Sequence, residues 1–196
     1  MKKAILILAI LLAVLTLCAC GTTQPAASPA PTAEPTPEPT AAPTPEPTPV
    51  PGAAVPADYE PDFSFSTTDR DGKVYDETIF ASQKLTMINF WEPWCPPCIG
   101  EMPDLEKLYE AYADEGFLIL GVYATEGMEA DVDSVLEKAG TQYPILHYTA
   151  AFDRFETGYV PTTVFVDGGG HILTEPTAGS ASYEGWESIV LGLMGE

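Results

Sequence analysis

Leu85-Thr86-Met87-Ile88-Asn89-Phe90-Trp91-Glu92-Pro93-Trp94-Cys95-Pro96-Pro97-Cys98 begins as a nearly unbroken apolar run and ends on two closely spaced thiols. Leu85 to Trp91 has the make-up of a strand buried on both faces. Beyond the cysteines, Ile99, Met102, Leu105, Leu108, Tyr109 and Tyr112 recur at helical spacing, so a helix starts at the thiols. The placement has a chemical consequence: one sulfur can attack a partner's disulfide while the other waits a turn behind it. A Cys-x-x-Cys alone is weak evidence, but a buried strand before it and a helix after it make it specific.

Working outward, Phe117 to Tyr123 reads as a second buried strand. With the intervening helix it forms a strand-helix-strand unit, which implies parallel pairing. Met128 to Ala139 is a predicted helix stopped by Gly140, followed by a short strand from Tyr143 to His147 and a helical turn around Ala150 to Glu156. Val160 to Asp167 is predicted as a strand that turns at Gly168-Gly169-Gly170 into an antiparallel partner at His171-Ile172-Leu173. Tyr183 to Met194 closes the chain as an amphipathic helix through Trp186, Ile189, Val190 and Leu193. Upstream, Phe63-Ser64-Phe65 and Lys73-Val74-Tyr75 flank Asp71-Gly72, a pattern that predicts a leading hairpin. Residues 58–196 amount to one domain, with apolar runs sufficient for a core without disulfide staples.

The N-terminal segment has a different character. Lys2 and Lys3 precede an apolar run from Ala4 to Leu17, the pattern of an export signal over residues 1–19. The run falls short of the roughly 20 residues a bilayer span requires. Leu17-Cys18-Ala19-Cys20 resembles the lipobox of bacterial lipoproteins, which implies lipid attachment at Cys20 and loss of Cys18 with the signal. The alternative is ordinary secretion with Cys20 as a free thiol. Residues 20–57 are rich in Pro, Thr, Ala and Glu, too poor in apolar surface to fold, and are expected to form a disordered stalk. At about 3.1 Å per residue such a stalk reaches roughly 100 Å. The formal net charge of −21 falls almost wholly on the domain and argues against a nucleic-acid partner.

With these elements in place, the domain resembles the thioredoxin fold, an α/β architecture with a central mixed sheet flanked by helices. Within that fold it is similar to the TlpA/ResA-like group of membrane-anchored bacterial thiol-disulfide oxidoreductases. The likeness rests on Phe90-Trp91 leading into Trp94-Cys95-Pro96-Pro97-Cys98, on Glu101-Met102-Pro103, on Val160-Pro161-Thr162, and on an extra helix and strand between Met128 and His147. It covers essentially all of residues 58–196. One departure stands out: Asn89 occupies the position of the buried aspartate that handles protons in plain thioredoxin.

The resemblance implies a membrane-anchored thiol-disulfide oxidoreductase on the outer face of the cytoplasmic membrane. Its expected partners are disulfide-containing exported proteins and a membrane thiol-electron donor, and the Cys95-Cys98 pair serves in place of a cofactor. Cys95, at the helix start, is the expected attacking thiol because the helix dipole favours its thiolate. Cys98 is the expected resolving thiol, and Glu101 is either the acid that accepts its proton or an exposed glutamate near the helix start. Trp94, Val160 and Pro161 are expected to contact substrate, with Pro161 cis. Trp91 is expected either to shield the thiols or to pack in the core, and Glu92 to be a solvated loop carboxylate. A Cys-x-x-Cys can also supply half a zinc site, with His147 and His171 as the remaining candidates, but their separation lacks ligand-like spacing and no metal is expected. A thiol peroxidase of the same fold is the other alternative, but the Pro-x-x-x-Thr/Ser-x-x-Cys context of such enzymes is absent around Cys95.

Overall fold

A computed structural model describes residues 55–195. The expected signal segment, Cys20 and nearly all of the expected stalk lie outside the described residues. None of the described helices is long and apolar enough to cross a membrane.

Among the described residues, seven strands and three α-helices follow one another as β1 (Ser66–Thr68), β2 (Val74–Asp76), β3 (Leu85–Phe90), α1 (Pro96–Tyr112), β4 (Phe117–Tyr123), α2 (Glu129–Ala139), β5 (Ile145–His147), β6 (Thr162–Asp167), β7 (Thr177–Ala178) and α3 (Tyr183–Met194). The main sheet runs β5-β4-β3-β6-β7. β3 pairs parallel with β4 and antiparallel with β6, so the sheet is mixed as expected. Side chains alternate across it with period two. Leu85, Met87, Phe117, Ile119 and Phe165 face a core shared with α1, α2 and α3. Ile88, Phe90, Leu118, Leu120, Val164 and Val166 face a second core, closed by Phe63, Phe65, Phe80 and Phe152.

The strand that reads as apolar throughout is buried throughout, since both of its faces are covered. Gly140 ends α2 in the left-handed conformation at φ 72°, as its position predicted. The leading hairpin forms, but three residues later on its first arm than Phe63-Ser64-Phe65. The side chain of Asp69 accepts hydrogen bonds from the N–H groups of Asp71 and Lys73, fixing a turn that pairs Thr68 with Val74. Phe63 and Phe65 are thereby freed to fill the second core. The hairpin docks on the edge strand: Thr67 donates to the His147 carbonyl at 2.6 Å.

The expected partner strand at His171-Ile172-Leu173 reduces to one isolated bridge, Val166 with Ile172. The Thr174 hydroxyl takes the Phe165 N–H at 3.2 Å, and Pro176 lacks a donor, so regular pairing fails there. It resumes at β7, which is opposite Thr162 and Thr163. β5 is likewise shorter than predicted because Pro144 has no N–H to give, although its carbonyl accepts from Gly121 at 2.9 Å.

Candidate active site

Cys95 and Cys98 are joined in a disulfide at the start of α1. Cys95 is the helix N-cap with an extended backbone, and Pro96 and Pro97 fill the first two helical positions, where the absence of an N–H costs no helical bond. The Cys98 N–H points back at the Cys95 sulfur at 3.3 Å. The two prolines leave it without companion donors in that first turn. Both sulfur-bearing residues are nearly covered, Cys95 at 3% exposure and Cys98 at 1%, with Cys98 deeper as expected.

Pro161 follows a cis peptide bond, in agreement with the sequence reading, and the Val160 carbonyl oxygen lies 3.5 Å from the Cys95 sulfur. The loop after β7 returns to this point: the Gly179 N–H donates to the Pro161 carbonyl at 2.8 Å. Two residues on, the Ala181 N–H donates to Glu101. One loop therefore touches both the proline and the acid.

Glu101 is 3% exposed, one helical turn beyond Cys98 on the same buried face of α1. One carboxylate oxygen accepts from Asn89 Nδ2 at 3.1 Å; the other accepts from Trp186 Nε1 at 3.1 Å and from the Ala181 N–H at 3.2 Å. Burial pushes its carboxyl above the ordinary range, and the three donors only partly oppose that rise. Asn89 also donates to Thr163 at 3.1 Å. Asn89 is thus a donor to the acid, and the acid itself sits on α1. The Trp186 contact is invisible in the sequence, where helical spacing marks Trp186 only as a core residue.

One expectation requires correction. Glu92 is not a solvated loop carboxylate: it is 7% exposed, and it accepts from the N–H groups of Ala124 and Thr125 at 2.9 and 3.2 Å and from the Thr125 hydroxyl. The loop after β4 folds over it, an arrangement set by tertiary packing rather than by local pattern. Of the two roles left open for Trp91, core packing is the one observed: it is buried against Tyr123, with ring centroids 5.8 Å apart. Trp94, by contrast, is 59% exposed, and its indole N–H donates to the Thr125 hydroxyl at 3.0 Å. A cleft of about 510 Å³ opens on the Val160 side, lined by Phe90, Trp94, Tyr148, Phe155, Tyr159 and Val160 among others.

The two histidines weighed as metal ligands lie apart from the cysteines in role: His147 packs on Tyr123, and His171 faces Asp62 at 3.4 Å. Among the described residues no group of three or more His, Cys, Asp or Glu side chains is arranged to hold a metal ion.

A mixed sheet with helices on its flanks, a cysteine pair capping a helix and a proline facing that pair together define a domain of thioredoxin-like fold. The chain belongs to the Redoxin family, whose description matches residues 56–172. It is 35% identical over 91 residues to the thiol-disulfide oxidoreductase ResA of Oceanobacillus iheyensis, covering 45% of this chain and 47% of that protein. To the ResA of Halalkalibacterium halodurans it is 35% identical over 98 residues, covering 49% and 55%. The chain thus spans about half the length of these curated relatives. Among solved structures, a thiol:disulfide interchange protein of the thioredoxin family from Chlorobium tepidum TLS is similar at 26% identity and TM-score 0.60, covering 71% of this chain and 99% of that one.

Proposed function

We propose that the chain is an extracytoplasmic thiol-disulfide oxidoreductase, tethered to the membrane through a lipid on Cys20, that reduces disulfides of exported proteins. The observation that carries the reading is the position of the Cys95 sulfur, at a helix N-terminus and 3.5 Å from the Val160 carbonyl beside Pro161. In the reduced protein the Cys95 thiolate attacks a substrate disulfide. One substrate sulfur joins Cys95 and the other leaves as a thiolate. Cys98 then gives its proton to Glu101 and attacks Cys95, which releases the second substrate thiolate and restores the Cys95-Cys98 disulfide. Two electrons pass to the substrate, and no cofactor is needed beyond the cysteine pair. A membrane thiol-electron donor reverses the change. Trp94 and the backbone of Val160 hold the substrate as an extended segment.

The ResA names of the relatives support this chemistry, and the lipobox-like Leu17-Cys18-Ala19-Cys20 supports the anchor. The test is reduction of insulin disulfides with dithiothreitol regeneration. Activity above the dithiothreitol background is expected, falling to that background in Cys95→Ser. A Cys98→Ser chain is expected to accumulate a mixed disulfide through Cys95. Normal turnover by Cys98→Ser would refute the two-step scheme. Mass spectrometry of the membrane fraction, reading a lipid on Cys20 or its absence, decides the anchor.

A further inference from the structure

Glu92 is a buried carboxylate that the exchange scheme does not use. Its neighbours define what it does. One oxygen accepts from the Ala124 N–H at 2.9 Å; the other accepts from the Thr125 N–H at 3.2 Å and from the Thr125 hydroxyl. That hydroxyl, having given its hydrogen to Glu92, presents its lone pairs to Trp94 Nε1 at 3.0 Å. A chain of polar contacts therefore runs from a buried charge, through one hydroxyl, to an exposed indole whose backbone leads directly into Cys95.

We propose that Glu92 is a positioning residue: through Thr125 it fixes the Trp94 indole at the lip of the cleft beside the disulfide, and so sets how firmly an extended substrate is held. The proposal rests on the reading of Trp94 as a substrate contact. A carboxylate suits this place because all three groups facing it are donors. Burying a charge there is costly unless such donors satisfy it. Glutamine would turn its own N–H groups against at least one of them.

The test uses the full chain in three variants. Thr125→Val removes the hydroxyl but keeps both backbone donors to Glu92, Thr125→Ser restores the hydroxyl, and Glu92→Gln disturbs the anchor itself. The first readout is quenching of tryptophan fluorescence by acrylamide, which is uncharged and so not repelled by a chain of net charge −21. Trp91 and Trp186 are buried, so quenching reports Trp94. Thr125→Val and Glu92→Gln are expected to raise the quenching constant about twofold as the indole comes free, whereas Thr125→Ser stays at the wild-type value. In reduction of a disulfide peptide, Thr125→Val is expected to raise KM about fivefold with kcat changed less than twofold, the mark of lost uniform binding. Wild-type quenching in Thr125→Val, or an unchanged KM, would overturn the proposal. Failure of the wild-type chain to reduce any disulfide peptide would instead remove the functional reading. The quenching comparison needs no substrate and still decides whether Glu92 holds the indole.

Discussion

Glu101→Ala removes the common acceptor of three donors in the interior: Asn89 Nδ2, Trp186 Nε1 and the Ala181 N–H. A buried donor left without a partner costs about 1–3 kcal/mol, so three at the low end give about 3 kcal/mol, before any cavity is counted. Glu101→Gln keeps an oxygen for two of them and is expected to cost about 1 kcal/mol where the native carboxyl is neutral. The comparison then acquires a pH dependence. Burial raises the folded-state proton affinity of Glu101 above its ordinary value of 4.5, so its contribution is fully present below that value and is lost as pH rises through the folded pKa. Wild type should therefore lose stability relative to Glu101→Gln on going from pH 4.5 to pH 9, and the glutamine variant should overtake it if the loss exceeds the initial deficit. In the oxidised protein neither sulfur titrates in this window. The shared contributions of other groups cancel in the difference between the two chains. Urea unfolding of the oxidised proteins, read by near-ultraviolet dichroism at several pH values, measures it. A cost below about 1 kcal/mol for Glu101→Ala at pH 4.5, or parallel pH profiles for wild type and Glu101→Gln, would refute the reasoning. The latter result would also remove the basis for Glu101 as proton acceptor.

Four further outcomes are expected. The Cys95 thiol of the reduced protein should alkylate with a titration below the free-thiol value of about 8.5, because it caps α1; iodoacetamide rates across pH check this, and an unshifted titration would count against the assignment. Pro96 and Pro97 withhold two N–H donors from that thiolate, which favours a reducing couple; equilibration with glutathione buffers should give a potential well below the roughly −120 mV of a strong oxidant. Gly168→Ala would place a methyl group 2.4 Å from the Gln83 carbonyl oxygen, so thermal unfolding should show a loss of about 1–3 kcal/mol. Gly192→Ala, in α3 with open space around it, should gain about 0.5–1 kcal/mol.

What the sequence made legible and what it withheld divide along one physical line. Periodicity and turn residues report on local conformation and on which face is covered, so β3, β4, α1, α2 and α3 were readable from their apolar spacing, and the disulfide from the placement of its cysteines. Pairing of strand edges depends on donors that other segments can intercept. The Thr174 hydroxyl and Pro176 accordingly displaced the expected partner of β6 to β7 in a way no local pattern announces. The same limit applies more sharply to charge. By local pattern Glu92 and Glu101 look like ordinary surface acids, one in a loop and one near a helix start, the second marked out only by the family resemblance, and the return of distant segments is what buries them: Ala124 and Thr125 for the first, Asn89, Ala181 and Trp186 for the second. A carboxylate remains inside only when such donors arrive together. The two acids therefore sit in unlike surroundings on either side of the cysteines in sequence. Glu92 is gripped by a loop that also holds the Trp94 indole, whereas Glu101 shares the buried face of α1 with Cys98 and is reached by the same loop that binds the Pro161 carbonyl. Substitutions at the first should therefore register in substrate affinity, and substitutions at the second in proton-linked stability and in resolution of the mixed disulfide. That separation is itself a test of whether the two acids act through different parts of the site.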